Sequence, residues 1–169
     1  MAPLLELYLV RHAIAAERGP LYPDDRRRPL TPEGIKRFRE AVRGLMSLGL
    51  ELDVILASPL TRAEETAVIL AAGLKGSVPV EALDALAPGG RFAAVVEAVS
   101  RHARRHRRIA LVGHEPDLGE MAARWLGARG HVEFRKGAVC AIDVDGATPA
   151  GPGTLRWFIP PRALRRLAV

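Results

Sequence analysis

The segment LYLVRHA, residues 7–13, changes abruptly from an apolar run to an arginine–histidine pair. Its first half is typical of a buried strand, and we predict a strand over residues 4–10. Arg11 and His12 follow directly, where a buried strand would end. In open α/β sheets ligands bind beyond the carboxyl ends of the strands, so this pair is a candidate for chemistry.

The rest of the chain alternates between apolar runs and helical patterns. A polar loop is predicted at 13–30, followed by a helix with Thr31 as N-cap, Pro32 as first residue and an end at Gly49. The later elements are, in chain order, a strand at 54–57, a helix from Ser58-Pro59 to about Ala72, a strand at 78–80, a helix at 92–106, a strand at 109–114, a helix from Pro116 to about Leu126, and a hairpin of 138–144 with 155–159.

This alternation predicts an α/β fold and a single domain over residues 1–169. Three layers are expected, with a mostly parallel central sheet flanked by helices and a C-terminal antiparallel hairpin. The composition, 49% hydrophobic and 26% charged, is typical of globular proteins and excludes a disordered chain.

No apolar run approaches the roughly 20 residues of a membrane helix, and the N-terminus has no signal-peptide pattern. Cys140 is the single cysteine and stands in an apolar run, so we expect it to be buried and unable to form an internal disulfide. These features predict a cytoplasmic protein without a membrane partner.

The net charge is +6 and comes mostly from arginine. Such a charge raises the possibility of a basic nucleic-acid-binding module, although a genome-wide composition bias is the favoured explanation for most of the arginines. Only 5% of residues are aromatic, and none lies within the basic run RHARRHRR at 101–108. Base-stacking platforms are therefore poorly supported, and nucleic-acid binding remains only an alternative.

Three predicted strands end in unusual residues. The first ends in Arg11 and His12, the second is followed one helical turn later by Arg62, and the third ends in the segment GHEP that contains His114. Because carboxyl ends of parallel strands meet at one edge, these four side chains are expected to surround one crevice. Such a cationic crevice suits a phosphoryl group, and the N-termini of the two following helices would add N–H donors.

In this order and spacing, LVRHA, SPLTRAEETA and LVGHEP resemble the histidine phosphatase superfamily, which includes phosphoglycerate mutases. Ala13 stands where the usual motif, Arg-His-Gly, has its glycine. The shortness of the chain and the segments RPLTPEG, LAPGG and FRKGAVCAIDVDG are similar to the small SixA-type phosphohistidine phosphatases. The resemblance covers essentially the whole chain and implies the phosphoglycerate mutase-like fold.

The resemblance implies a phosphatase in which His12 attacks phosphorus and forms a covalent phosphohistidine. Arg11, Arg62 and His114 would bind the phosphoryl oxygens and stabilise charge in the transition state. The backbone N–H of Glu115 is a further candidate donor to the phosphate. The attacking imidazole must be neutral, and neighbouring arginines favour that form because like charges lower the pKa of a histidine.

Larger superfamily members use a glutamate as general acid, and no clear counterpart is present. Four carboxylates are the candidates, namely Glu64, Glu65, Glu81 and Asp84. Alkoxide leaving groups need a proton at departure, whereas the ring nitrogen of phosphohistidine is readily protonated beforehand. A site without a dedicated acid therefore favours phosphohistidine on a protein over a small phosphate ester or a nucleotide, which is the alternative substrate.

No metal or cofactor is expected, and a metal site formed by His114, Glu115 and Asp117 is the less favoured alternative. The expected partner is a phosphorylated protein, for example a histidine-phosphotransfer domain, or a small phosphorylated substrate. The arginine groups at 26–28 and 101–108 are candidates for steering an acidic protein, although the second is equally well explained as a solvated helix face.

Overall fold

The computed structural model describes residues 3–168. Its strands are β1 (Leu4–Arg11), β2 (Val54–Ala57), β3 (Val80–Ala82), β4 (Arg108–Gly113), β5 (Val139–Asp145) and β6 (Thr154–Ile159). Its α-helices are α1 (Pro32–Ser47), α2 (Thr61–Gly73), α3 (Phe92–His102), α4 (Asp117–Trp125) and α5 (Pro161–Leu167). Two short 3-10 turns, Asp25–Arg27 and Asp84–Leu86, interrupt the loops.

The six strands form one sheet in the order β3-β2-β4-β1-β5-β6. Strands β1 to β4 run parallel, with β1 paired to β4, β4 to β2 and β2 to β3. Strand β5 pairs antiparallel to β1, and β6 pairs antiparallel to β5. The prediction of a mostly parallel α/β sheet with a C-terminal antiparallel pair is confirmed.

Helices cover both faces of the sheet, which gives the three layers. Side chains alternate along β1, so Tyr8 and Val10 join a core with α1, α2 and α5, while Leu7 and Leu9 join a second core with α3 and α4. Cys140 on β5 is fully buried in the second core. Within residues 3–168, no helix is both long and apolar enough to cross a membrane.

Two predicted helix boundaries are wrong because polar groups near them are used differently. Helix α2 begins at Thr61 rather than at Ser58, since the Ser58 N–H still bonds to Val112 O of the sheet (3.0 Å) and its hydroxyl accepts the Leu60 N–H (3.3 Å). Helix α3 ends at His102 rather than at residue 106, because beyond it only Ala103 packs against the core, while Arg104 and Arg105 are exposed.

Two further differences concern short elements. Strand β3 covers Val80–Ala82 rather than 78–80, in register with β2 through the pair Ala57 and Ala82. Helix α5 was not predicted at all. Its 7 residues bury only Leu164, so the sequence carries no apolar periodicity from which to recognise it.

The topology brings several chain segments to the same edge of the sheet. The carboxyl ends of β1, β2 and β4 lie there, as the register of Val10 with Val112 and of Val112 with Ala57 shows. Because β5 runs antiparallel, its first residue Val139 pairs with Val10, and Ile159 at the end of β6 pairs with Val139. The start of β5 and the end of β6 therefore lie at the edge that carries His12.

Candidate active site

The strand ends place His12 and His114 side by side. The His12 N–H donates to Gly113 O at 3.1 Å, which continues the pairing of β1 with β4 into the crevice. The two imidazole rings lie with centroids 5.1 Å apart. Both side chains are buried, with 6% of His12 and 4% of His114 exposed. The structure therefore brings together two of the four residues that the motifs singled out.

The tautomer of His12 is determined by its hydrogen bond. Its Nδ1 lies 2.7 Å from the carbonyl oxygen of Ala13, and a carbonyl oxygen only accepts. Nδ1 therefore carries the ring proton. In the neutral ring the lone pair is then on Nε2, which is the nitrogen free to act as a nucleophile or base.

Burial is the main reason that His12 is neutral. It lowers the pKa of His12 to about 3, while the hydrogen bond to Ala13 opposes this shift and the charges of His114, Arg62 and Arg11 add to it. The sequence predicted the direction of the pKa shift from the arginines alone. They contribute to it, but desolvation is the larger cause.

The replacement of the usual motif glycine by Ala13 causes no backbone strain. Among the described residues only glycines have positive φ angles, so Ala13 lies in a conformation open to any residue. Its N–H donates to Thr66 Oγ1 at 3.0 Å, and the Thr66 hydroxyl donates to Arg62 O at 2.7 Å. This relay fixes α2 against the end of β1.

Arg62 points from the first turn of α2 into the same crevice, and only 3% of its side chain is exposed. Its Nη1 donates to Asp25 O at 2.8 Å and its Nη2 to Asp25 Oδ2 at 3.1 Å. Its Nε is buried and has no partner within the described residues. Arg62 is thus held in place by one loop residue while keeping one donor unused.

Arg11 is half-buried at the end of β1 and is anchored in a similar way. Its Nη1 donates to Phe134 O at 2.6 Å in the loop before β5, and its buried Nε has no partner in residues 3–168. Burial lowers the pKa of Arg11, and the charges of Glu115 and Glu133 oppose that shift. A guanidinium remains protonated in such surroundings, so Arg11 keeps its positive charge.

His114 follows β4 and is oriented by a serine. Its Nε2 lies 2.7 Å from Ser58 Oγ, whose lone pair already receives the Leu60 N–H. The serine hydroxyl can donate its proton to Nε2, and in that arrangement Nδ1 carries the ring proton. Nδ1 is buried and has no partner within the described chain. Burial, followed by the charge of Arg62, lowers the pKa of His114 to about 4, so this ring is neutral as well.

The comparisons with known proteins agree with this geometry. The model of the histidine phosphatase superfamily (branch 1) matches residues 7–88, a segment that includes Arg11, His12 and Arg62. The chain belongs to the histidine phosphatase superfamily. It is therefore a phosphatase, and hence a hydrolase, which favours the enzyme over the nucleic-acid-binding alternative.

Three proteins are similar to this chain over a longer stretch than the family model matches. An uncharacterized protein of Picosynechococcus sp. is 44% identical over 141 residues, covering 82% of this chain and 84% of its own. Phosphohistidine phosphatase SixA of Escherichia coli (strain K12) is 25% identical over 164 residues, covering 95% of this chain and 97% of its own. A solved structure of the protein histidine phosphatase SixA complexed with tungstate has a TM-score of 0.84 at 24% identity, with coverage of 95% and 99%.

The phosphatase crevice contains two residues that sequence reasoning missed as members of the site. Asp25 accepts from Arg62, and its Oδ1 also accepts from Arg28 Nε at 2.8 Å and lies 3.2 Å from Arg18 Nε. Arg28 additionally donates to Ala16 O at 2.6 Å, and its side chain is only 11% exposed. Arg28 is thus part of the crevice and not of a steering patch, unlike its exposed neighbours at 26 and 27.

The four candidate proton donors lie in different surroundings. Glu65 is engaged by the Leu30 N–H at 2.7 Å, and Glu81 is engaged by His102 Nε2 at 2.8 Å. Glu64 and Asp84 are exposed, the first on α2 and the second in the 3-10 turn that follows β3. None of the four is hydrogen-bonded to His12, Arg62 or His114 in the described chain.

The two carboxylates of the alternative metal site, Glu115 and Asp117, already have hydrogen-bond partners within the protein. Glu115 accepts the Gly119 N–H at 2.8 Å and pairs with His131 Nε2 at 2.7 Å, and Asp117 accepts the Gly89 N–H at 2.7 Å. Across residues 3–168, no group of three or more His, Cys, Asp or Glu side chains is arranged to hold a metal ion. These carboxylates organise loops around the crevice.

Proposed function

We propose that this phosphatase removes the phosphoryl group from phosphohistidine on a protein, with His12 as the nucleophile. The observation that carries the proposal is the hydrogen bond from His12 Nδ1 to Ala13 O, which leaves the lone pair on Nε2 in a buried, cationic crevice. Similarity to proteins named phosphohistidine phosphatase supports the same substrate class.

The reaction is written as two displacements. In the first, Nε2 of His12 attacks the phosphorus of a phosphohistidine that is protonated on its other ring nitrogen. An Nε2–P bond forms and the P–N bond of the substrate breaks. The substrate histidine leaves as a neutral imidazole that keeps this proton. In the second, water attacks phosphorus, the P–Nε2 bond breaks, and phosphate and a proton are released. Splitting the transfer in this way is the logic of covalent catalysis.

Three unpartnered donors would bind the phosphoryl oxygens. They are Arg11 Nε, Arg62 Nε and His114 Nδ1, all buried and all without a partner in the described residues. A buried donor left unpaired is unfavourable, so its persistence at a crevice is best explained by a ligand that pairs with it. The Glu115 backbone N–H, which donates to no group in the described chain, is a fourth candidate.

The preference for a P–N bond is supported by the state of the carboxylate bound to Arg62. Burial alone would raise the pKa of Asp25, but the hydrogen bond from Arg28 and the charges of Arg62 and Arg28 hold it below its ordinary value. Asp25 therefore carries no proton at neutral pH and is unsuited to protonate a departing alkoxide. Phosphohistidine needs no such donor.

The test compares two substrates on wild type and on His12→Asn, which keeps a side-chain donor for Ala13 O. We expect the wild type to hydrolyse a phosphohistidine-containing peptide with a higher kcat/KM than an aryl phosphate, and the variant to hydrolyse neither. A preference for the aryl phosphate would keep the nucleophile but replace the substrate class with small phosphate esters or nucleotides. Full activity of the variant on either substrate would show that His12 is not the nucleophile.

A further inference from the structure

A groove of about 460 Å³ opens close to the nucleophile, and neither Arg62 nor His114 lines it. We call it the α1–α5 groove, because Phe38 of α1 and Pro161 at the start of α5 line it. It meets the crevice at Ala13, the residue after the nucleophile, which also lines it.

The groove is fixed to the active site through the backbone. Gly137 lines it, and the Gly137 N–H donates to both Arg11 O and His12 O, at 3.1 and 3.2 Å. Gly137 adopts φ +85°, a conformation that L side chains rarely adopt, so the backbone geometry of these two hydrogen bonds favours glycine. A peptide bound in the groove would therefore lie close to His12.

The lining of the groove is cationic around an apolar floor. Its floor contains Ile14, Phe38 and two prolines, and its charged lining residues are Arg37, Arg135, Lys136, Arg162 and Arg165. No aspartate or glutamate of the described chain lines it.

Three of these cations are available to an external partner. Arg37 pairs with Glu33 at 2.5 Å, and Arg165 approaches Glu40 at 4.0 Å. Exposed Arg135, Lys136 and Arg162 form no ion pair within residues 3–168. An unbalanced set of charges at one edge of a catalytic crevice attracts ligands of the opposite sign.

We propose that the α1–α5 groove binds an acidic stretch of the phosphorylated protein, next to the residue that delivers its phosphoryl group to His12. This rests on the proposed function, since it takes the phosphoryl donor to be a protein. Carboxylates match the free guanidinium groups, and apolar side chains of the same stretch match the floor.

Two other occupants fit the groove less well. A nucleic acid would need aromatic faces on which its bases stack, and the aromatic residue in the groove, Phe38, is only 2% exposed. A second copy of this chain would bring a further net charge of +6 to a surface that is already cationic. An acidic segment has neither difficulty.

The test uses two synthetic peptides with a central phosphohistidine, flanked either by four glutamates or by four glutamines. We expect the wild type to prefer the glutamate peptide by about tenfold in kcat/KM at low salt, mainly through KM. Arg135→Glu combined with Arg162→Glu is expected to bring that ratio to one or below, and Arg135→Gln with Arg162→Gln to an intermediate value. Each ratio is measured within one variant, so a change in folding does not affect it.

The matched control is Arg104→Glu combined with Arg105→Glu, two exposed residues between α3 and β4, at the opposite edge of the sheet. This variant has the same net charge as the groove double variant and should keep the tenfold preference. Equal use of both peptides by the wild type, or an equal loss of preference in the control, would overturn the proposal.

A second readout separates this proposal from the proposed function. The same ratios are measured on phosphotyrosine peptides with identical flanks, and binding of a labelled, unphosphorylated glutamate peptide is followed by fluorescence anisotropy. Absence of phosphohistidine hydrolysis with retained glutamate selectivity would end the substrate assignment and keep the groove. Tighter binding of a single-stranded oligonucleotide than of the glutamate peptide, weakened by the groove variants, would replace the protein partner with a nucleic acid.

Discussion

Two regions of this phosphatase are rich in arginine and histidine, and they lie at opposite edges of the same sheet. In the crevice, Arg62 and His114 are 3% and 4% exposed and keep donors without partners in the described chain. In the basic run at 101–108, three side chains pair with carboxylates, namely Arg101 with Glu97 at 3.0 Å, His102 with Glu81 at 2.8 Å and Arg108 with Asp53 at 2.8 Å.

The difference shows that residue type alone does not make a phosphate site. The basic run is the more conspicuous of the two in the sequence, yet its side chains lie at the protein surface, and some of them pair with neighbouring carboxylates such as Glu81 and Asp53. Exposed pairs of this kind contribute little to stability. In the crevice, burial keeps the histidines neutral, and the buried Nε groups of Arg11 and Arg62 have no partner in the described chain, which makes them available to an anion.

The largest contrast between the regions is expected for their histidines. His12→Ala removes the proposed nucleophile and should lower kcat by at least about 10³-fold. His106→Ala removes a ring that stacks on His102 in the basic run and should change kcat by less than about twofold. Steady-state kinetics on an aryl phosphate measures kcat for both variants. Similar losses of kcat would show that the crevice histidine is no more important for catalysis than the histidine of the basic run.

The arginines should differ by a smaller factor. Arg62→Ala deletes one preorganised donor and is expected to lower kcat/KM by about 10²-fold. Its counterpart Arg101→Ala breaks an exposed pair with Glu97 and should leave kcat/KM within about twofold. Both are compared after thermal unfolding has shown that each variant is folded at the assay temperature. An Arg62→Ala enzyme with wild-type kcat/KM would remove this residue from the site.

The buried histidines should also make stability depend on pH. The pKa values of His12 and His114 fall from 6.5 to about 3 and about 4 on folding, so between pH 4 and 6.5 the unfolded chain binds more protons. Stability is therefore lost as the pH drops through this window, by roughly 2 kcal/mol for each of the two histidines between pH 7 and 5.

Urea denaturation at the two pH values measures this loss. The double variant His12→Asn with His114→Gln should lose less stability on acidification, whereas His106→Gln in the basic run should lose as much as the wild type. An identical loss in all three proteins would mean that the crevice histidines are not its source.

The smallest effect is expected for the carboxylates that orient arginines. Asp25→Asn weakens the contacts that position Arg62 and Arg28 and should lower kcat/KM about tenfold. Asp53→Asn does the same to Arg108 at the other edge and should not change kcat/KM beyond about twofold. A loss of activity in Asp53→Asn equal to that in Asp25→Asn would indicate a general loss of folding instead of a positioning role.

Much of the fold could be predicted from the sequence because its signals are local. The apolar run before Arg11 and the Thr31-Pro32 start of α1 correspond to observed elements, since burial and capping act within a few residues. Helix α5 could not be predicted, because it is held by packing of one residue, Leu164, against α1. Within the candidate site, the structure brings Arg62 and His114 close to His12 as the motifs predicted, for the same local reason that each follows a strand.

The sequence by itself determined the α/β class, the order of the main elements and the superfamily, because hydrophobic periodicity and short motifs are properties of neighbouring residues. Only the tertiary structure decided which nitrogen of His12 is free and that burial lowers its pKa. It also decided that Asp25, in an irregular loop, holds Arg62. Desolvation and contacts between distant residues depend on how the whole chain packs, and no local pattern encodes them.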